Sequence, residues 1–509
     1  MLLDYYNSRT VTTLDGVVRL RLGIRRCHSH PCTRHRIPVR PEAEGRIGLP
    51  HHEFGLDVIA LTGALRYARH RSTPEIHKDL ASRQVVLAQR SVSNLLDRYD
   101  ELLALATGDR DRLRPLLRRQ GHVVLAIDGM QPDVGHEVLW VIRECLSGEV
   151  LLARGLLSST QKDLAELLLQ ATDWLDVPVL AVVSDGQRSI RNAVAKALPG
   201  VPHQLCQFHY LREAGTPICE MDRHAKKELK KTVRGIRAIE RQVEKAEGGP
   251  LAGVVQGYCA AVRSALTDDG RPPLDAKGLL LEERLQKIAA SVERVVEKGG
   301  PPKQLSRLRE LLRRGLEKTA ELFPEVRVGL GYLKEAAQVL SNPDGKKGKQ
   351  VRRQLRGLLT RMRREAKRAR KAKQEKLAEA LEHFGKVTGS YEPGLFYCYD
   401  YAEVPRTNNE LEQLFGSHRY HERRASGRKG GSPTVVVRGP VRLVAALVTR
   451  QKEPKAEELV PRDQEKWQRL REELQRRRGE RAKHRRFRQN PDAYLRDLES
   501  KFNQSRLLA

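Results

Sequence analysis

"VLAVVSDGQRSIRNAVAKALPGVPHQLCQFHYLRE", residues 179–213, is the stretch on which the reading of this chain turns. Its first five residues are an apolar, valine-rich run, the pattern of a buried strand, which passes through Ser184 and stops on Asp185. "QRSIRNAVAKAL" resumes with helical periodicity, and "PHQLCQFH" reads as a further short strand that carries Cys206 and His209. A carboxylate at the tip of a buried strand, and a Cys-x-x-His after the next helix, both ask for a chemical reason.

Upstream, the same alternation continues from residue 121. "HVVLAID" reads as a buried strand ending at Asp128, "HEVLWVIREC" as a second, and "EVLLARGLL" as a third after a turn at Ser147-Gly148. "TQKDLAELLLQATDWL" is an amphipathic helix starting near Thr160. The order is β-β-β-α-β-α-β. Right-handed crossovers after an antiparallel pair put the first and fourth strands side by side at the centre of a mixed α/β sheet. Asp128 and Asp185, 57 residues apart, are then expected at one edge of that sheet.

Two aspartates on adjacent strand ends suit a hard divalent cation, Mg²⁺ or Mn²⁺, which prefers oxygen ligands and takes one or two carboxylates per ion. A second ion needs a third carboxylate. "RTNNELEQLF", residues 406–415, offers Glu410 and Glu412. Thr407 followed three residues later by Glu410 fits a capping box, which occupies Glu410 at the helix start and leaves Glu412 as the ligand. Two ions held this way activate a water or a 3′ hydroxyl for in-line attack on a phosphodiester. The competing structural readings are that Asp128 caps a turn before Gly129 and that Asp185 caps the helix after it.

Charge points the same way. Lys and Arg number 94 against 64 Asp and Glu, a net +30, and such an excess suits a polyanion, with double-stranded DNA the first expectation and a merely well-solvated surface the alternative. Between Lys346 and Lys376 there are 15 Lys/Arg and 2 Asp/Glu, more than solubility requires and suited to phosphate neutralisation. "RRRGERAKHRRFR" near the C-terminus is a second phosphate-contact candidate. The start lacks the layout of a signal peptide and no apolar run is long enough to span a bilayer, so no membrane partner and a cytoplasmic, nucleoid-associated location are expected. Seven cysteines in 509 residues do not suggest a disulfide framework.

At the N-terminus "RRCHSHPCTRH" gathers thiols and imidazoles, with Cys27, Cys32, His30 and His35 as candidate zinc ligands. Residues 1–26 hold no cysteine, so this is half a ribbon: either histidines complete the tetrahedron or the segment is a basic loop. From 53 to 105 the periodicity is helical. Thr73-Pro74 opens one helix and Ser91 another, which reads as a helix-turn-helix that presents Arg90, Ser93 and Asn94 to base edges, or as an ordinary helical hairpin. "GRKGGS", residues 427–432, lacks nucleotide-loop spacing and reads as a basic loop.

"AIDGMQPD", "VVSDGQRSIRNAVAKALPGVPHQLCQFHYLRE" and "RTNNELEQLFGSHRYHERRASG" together resemble the core of a DDE transposase with an RNase H-like fold, most closely the Mutator-like and related bacterial insertion-sequence families. The resemblance covers residues 120–215 and 400–430. It implies catalytic, metal-binding roles for Asp128, Asp185 and Glu412, with Cys206 and His209 bracing the active site. It further implies Mg²⁺ or Mn²⁺ as cofactor, DNA element ends and target as partners, and a homo-oligomer in the DNA complex. Arg406, Arg419, Arg423 and Arg424, around the last motif, are read as DNA contacts. The alternatives are an RNase H-like structure-selective nuclease and a catalytically inactive, transposase-derived DNA-binding regulator.

The expected organisation is therefore a Cys/His-rich segment (1–45), a helix-turn-helix-like region (50–110) and an RNase H-like core in two parts (118–215 and 396–440). A large all-α basic insertion (216–395) interrupts that core, and a basic helical region (441–509) follows it.

Overall fold

Alternating Val, Arg and Leu after Gly16 makes a strand, and the chain opens with an antiparallel hairpin, β1 (Leu2–Thr13) and β2 (Gly16–Arg26). The sequence reading missed it. The structure, a computed structural model, describes residues 1–33, 35–131, 136–245, 250–268, 273–427 and 433–508. After the short helix α1 (Glu44–Ile47) come α2 (Leu56–Tyr67), α3 (Thr73–Ser82), α4 (Gln89–Thr107) and α5 (Arg110–Gln120). A capping box between Ser72 and Glu75 starts α3, and Gly121, with φ +85°, ends α5 in the left-handed conformation that glycine adopts without strain.

The expected β-β-β-α-β-α-β order follows: β3 (Val123–Met130), β4 (Val138–Glu144), β5 (Val150–Leu156), α6 (Gln161–Thr172), β6 (Val179–Ser184), α7 (Arg188–Ala197) and β7 (His203–Leu205). Thr160 and Asp163 form the box that starts α6. The five strands make one mixed sheet in the order β5-β4-β3-β6-β7. Both hairpin pairings, β3 with β4 and β4 with β5, are antiparallel, so the parallel pairing lies among β3, β6 and β7. Among the described residues, nine helices come next: α8 (Gln207–Ala214), α9 (Thr216–Thr232), α10 (Ile236–Lys245), α11 (Pro250–Thr267), α12 (Lys277–Glu297), α13 (Lys303–Thr319), α14 (Phe323–Ser341), α15 (Gly348–Lys371) and α16 (Glu375–Tyr391). The chain closes with α17 (Asn409–Ser426), α18 (Pro433–Gln451), α19 (Gln464–Gln489) and α20 (Pro491–Leu508).

The chain divides into two units. The first comprises 1–182, 187–201 and 408–509, the second 183–186 and 202–407. In the first, β3 is apolar on both faces, because both are covered. Leu125 and Ile127 pack with Trp140, Leu164, Leu168 and Ile190 on the side of α6 and α7. Ala126 and Met130 pack with Leu139, Val141, Leu411, Phe415, Leu443 and Leu447 on the side of α17 and α18. A further core joins α2, α3 and α4 through Ile59, Ile76, Leu80, Leu96 and Tyr99, with Trp467 of α19. Buried charges tie α18 to α4: Arg438 pairs with Asp97, Asp100 and Glu101, while Arg442 pairs with Asp100 and with Glu422 of α17.

The second unit is helical around a continuous core that includes Tyr210, Ile218, Leu229, Leu285, Leu308, Leu333, Leu355 and Phe384. Val351, Leu355, Leu358, Met362, Ala366 and Ala369 form the buried stripe of α15, so its basic residues occupy the outer face. Some of that charge is neutralised locally, as in Arg356–Glu392 and Arg370–Glu382. No helix among the described residues is long and apolar enough to cross a membrane.

Candidate active site

Asp128 does not end its strand, as the sequence suggested. β3 continues through Gly129 and Met130, which pair with Trp140 and Leu139, and Asp128 itself sits opposite Val141. Gly129 makes this extension possible, since a Cβ there would meet Val138 Cγ1 at 3.0 Å and Trp140 at 3.1 Å. Side chains alternate across a strand, so Asp128 shares the face of Ala126 and Met130, the face against which α17 packs. It is 8% exposed, and its Oδ1 accepts from the Gly129 N–H at 2.8 Å.

α17 is docked on that face by Leu411 and Phe415, and by Asn408, whose Nδ2 donates to the Ile127 carbonyl at 3.4 Å. Glu412 stands one helical turn beyond Asn408, its N–H bonded to the Asn408 carbonyl at 3.2 Å. The helix head thus lies against the residue that precedes Asp128. The expected capping box is not formed. Asn408 rather than Thr407 is the N-cap, it makes no side-chain cap bond, and Glu410 instead binds Arg143 of β4 at 2.7 Å. Arg143 wins because it projects from the same sheet face and offers a full positive charge where a backbone N–H offers a partial one.

Asp185 is the residue after β6, the strand beside β3 in the sheet. The N-cap of α7 is Gln187, two residues further on, so Asp185 does not cap that helix. Its loop is held by backbone geometry and by neighbours within the second unit. Gly186 has φ +86° and its N–H donates to Ser184 Oγ at 3.2 Å, while Ser184 Oγ is also bonded to His203 Nε2 at 2.8 Å. The Tyr391 hydroxyl lies 3.1 Å from the Asp185 carbonyl and 2.7 Å from Glu213 Oε2.

The Cys-x-x-His is not at a strand end. β7 stops at Leu205, Cys206 is the N-cap of α8, and His209 sits in that helix's first turn. The apolar–polar alternation of "HQL" was read too far, because Gln207 leaves the sheet: its N–H donates to the Arg406 carbonyl at 3.0 Å and its Nε2 to the Leu395 carbonyl at 3.0 Å. Cys206 is fully buried, and its N–H donates to the Ser184 carbonyl at 2.8 Å, next to Asp185. His209 is 8% exposed.

No protein-family model and no curated protein matches this chain.

Of the expected DNA-contacting residues, Arg90, Ser93 and Asn94 are exposed on the first turns of α4, preceded by a turn in which Gln84 has φ +63°. Arg419, Arg423 and Arg424 are exposed along α17. Arg406 is exposed, yet its Nη1 donates to the Ser341 carbonyl at 2.6 Å and its guanidinium lies over the Tyr399 ring. At the N-terminus, Cys27 and Cys32 are side-chain neighbours, and the Ser29 backbone N–H, then Cys32, pull the Cys27 thiol pKa down. His30 stacks on His35 with centroids 4.5 Å apart, and His35 Nδ1 is 3.0 Å from the Ser29 carbonyl. Two soft ligands are therefore adjacent. Among the described residues, however, no three His, Cys, Asp or Glu side chains form a metal-holding group, here or around the carboxylates. Residues 132 and 133 of the first motif and 428–432 of "GRKGGS" lie outside the described residues.

Sequence reasoning overlooked Asn408, Arg143 and Tyr391. The "TNN" of the last motif was a signal for Asn408; a lone Arg and a lone Tyr gave none.

Proposed function

We propose that this chain is a DDE-type DNA transposase with an RNase H-like core, cutting and joining DNA at the ends of an insertion sequence. The observation that carries the reading is the strand order β5-β4-β3-β6-β7, which sets Asp128 of β3 and Asp185 after β6 on neighbouring strands. The docking of the α17 head beside Asp128 through Asn408 supports Glu412 as the third carboxylate. Carboxylate oxygens are the donors that Mg²⁺ or Mn²⁺ takes, and such ions when bound sharpen the attacking oxygen and stabilise the leaving one.

In this reading Asp128, Asp185 and Glu412 hold the ions, and the chain itself supplies no covalent nucleophile. Cys206 and Tyr391 position Asp185 through the backbone bonds described. The exposed head of α4 and the basic faces of α15, α17 and α19 hold DNA, first by phosphate neutralisation and then by base contacts from Arg90, Ser93 and Asn94. In sequence, the helices from α8 to α16 fall between Asp185 and Glu412, as the insertion between second aspartate and glutamate would.

The test is nicking and strand joining on DNA bearing the element's own ends with Mg²⁺ or Mn²⁺, comparing wild type with Asp185→Asn. Joining by the wild type alone, with DNA binding kept in both, upholds the proposal. Cutting without joining or end preference points to a nuclease, and DNA binding without cutting by either protein points to a regulator.

A further inference from the structure

Past Glu412, α17 carries a second group of side chains that the proposed chemistry does not use. His418 is 4% exposed, and its Nε2 has no hydrogen-bond partner. A buried polar nitrogen left without a partner is rare and costly, so it asks for an occupant. One turn on, His421 stacks face to face on His70, just after α2, with ring centroids 3.2 Å apart and planes 5° apart; Nδ1 of each ring also lacks a partner. These rings line a small recess that shares His70 and Arg450 with a neighbouring groove of about 520 Å³, which has Arg143, Glu410 and Ser417 on its walls.

The charges around the groove are unbalanced. Arg450 is half-buried, its Nη1 makes only a long 3.4 Å contact to the Leu414 carbonyl, and burial lowers its pKa. The buried carboxylate nearby, Glu422, is engaged by Arg442 at 2.7 Å and Arg66 at 3.4 Å. Arg424 adds to the positive field felt by His70 and His421. Glu410, the acidic residue on the wall, is mostly exposed and paired with Arg143. The groove thus presents the Arg450 guanidinium and the His70 imidazole, donors suited to an anion with several acceptor oxygens. A metal ion is disfavoured at the rings, since the guanidiniums of Arg66, Arg442 and Arg450 flank them.

We propose that this groove is a phosphate-binding site, in which Arg450 takes a phosphate's oxygens as a fork beside His70, with His418 and His421 in the recess that adjoins it. Resting on the transposase reading, the phosphate is one of a DNA strand. His418 and His421 lie six and nine residues past Glu412, about 9 to 14 Å along the helix, so the phosphate held is one that flanks the phosphodiester cut at the carboxylates. Planar guanidinium forks match phosphate geometry, and desolvation at the groove wall strengthens each contact.

The test uses the full chain and a fluorescein-labelled DNA duplex, with affinity measured by anisotropy over a range of salt. Arg450→Gln should weaken binding about tenfold and reduce the salt slope by about one, as expected for a lost phosphate contact. Arg450→Lys should restore the slope but only part of the affinity, which a misfolded variant could not do. His421→Asn, at a partly exposed position, should weaken binding about threefold at unchanged melting temperature. Wild-type-like binding by Arg450→Gln and His421→Asn overturns the site. So does a melting temperature raised by Zn²⁺ or Ni²⁺ in wild type and not in His421→Asn, because the rings would then serve a metal. Stabilisation by inorganic pyrophosphate without any DNA binding by the wild type overturns the DNA assignment. The two proposals fail separately: loss of nicking in Asp185→Asn with unaltered binding by Arg450→Gln sinks only the groove, and weakened binding by Arg450→Gln in a chain that never cuts sinks only the transposase.

Discussion

Arg143 Nη1, on β4, donates to Glu410 Oε2 at the head of α17 at 2.7 Å, and this pair separates the roles of two glutamates only two residues apart. Glu410 is turned toward Arg143 at an exposed wall, whereas Glu412 lies one turn beyond the asparagine that binds the Ile127 carbonyl. Glu412→Gln should therefore reduce metal-dependent nicking by about a hundredfold or more, the scale of a lost transition-state contact, while Glu410→Gln stays within about threefold of wild type. Equal losses in single-turnover assays would mean that the pair does not sort the glutamates.

Tyr391 gives a positioning test. Tyr391→Phe removes the hydroxyl that reaches the Asp185 carbonyl at 3.1 Å and Glu213 at 2.7 Å. The expected result is a stability loss of about 1 kcal/mol in urea unfolding, together with slower nicking at unchanged DNA affinity. A purely structural hydroxyl would move the first and leave the nicking rate alone.

Acid should destabilise the first unit through His418. Burial holds its pKa down at about 4, with Arg442, Arg450 and Arg66 adding to the effect and Glu422 opposing it. The ordinary value is 6.5, so the stability from keeping this ring neutral is complete above about pH 6.5 and is lost as the pH falls from there through about 4. The full effect is on the order of 3 kcal/mol. His418→Gln should flatten the fall in urea-unfolding free energy between pH 6.5 and 4; an unchanged slope would remove His418 from the acid response.

Arg442 should be costly to lose. It is 4% exposed, pairs with Glu422 at 2.7 Å and Asp100 at 3.5 Å, and lies over the Tyr67 ring. Arg442→Met would leave buried Glu422 with Arg66 at 3.4 Å and buried Asp100 with Arg438 at 3.5 Å as their remaining cationic partners, a penalty of about 3 kcal/mol. Asp100, already pushed up to about 6 by burial, should then take up a proton, and the melting temperature of the variant should recover as pH is lowered toward 5. A pH-independent deficit would count against the buried charge as its cause.

Much of the sheet was legible from residue order because its signals are local. Apolar runs of strand length, the turn at Ser147-Gly148 and the Thr160 capping box each lie within a few residues, and chain topology rules then arranged the strands. The N-terminal hairpin was equally local, in the alternation of Val, Arg and Leu after Gly16, and was lost behind the cysteine cluster.

What the sequence alone determined was the order of the elements from β3 to β7, the three carboxylates as candidates, and the basic character that points to a polyanion. Tertiary structure decided the partners. Glu410 goes to Arg143 across 267 residues, Asn408 to Ile127 across 281, and Tyr391 to Asp185 across 206. Such pairs carry no periodicity and no fixed spacing, because a side-chain hydrogen bond depends on which faces the packed core brings within about 3 Å of each other. The same reason hid the groove: His70, His418 and Arg450 look unrelated along the chain, and only the packing of α2, α17 and α18 gathers them around one recess.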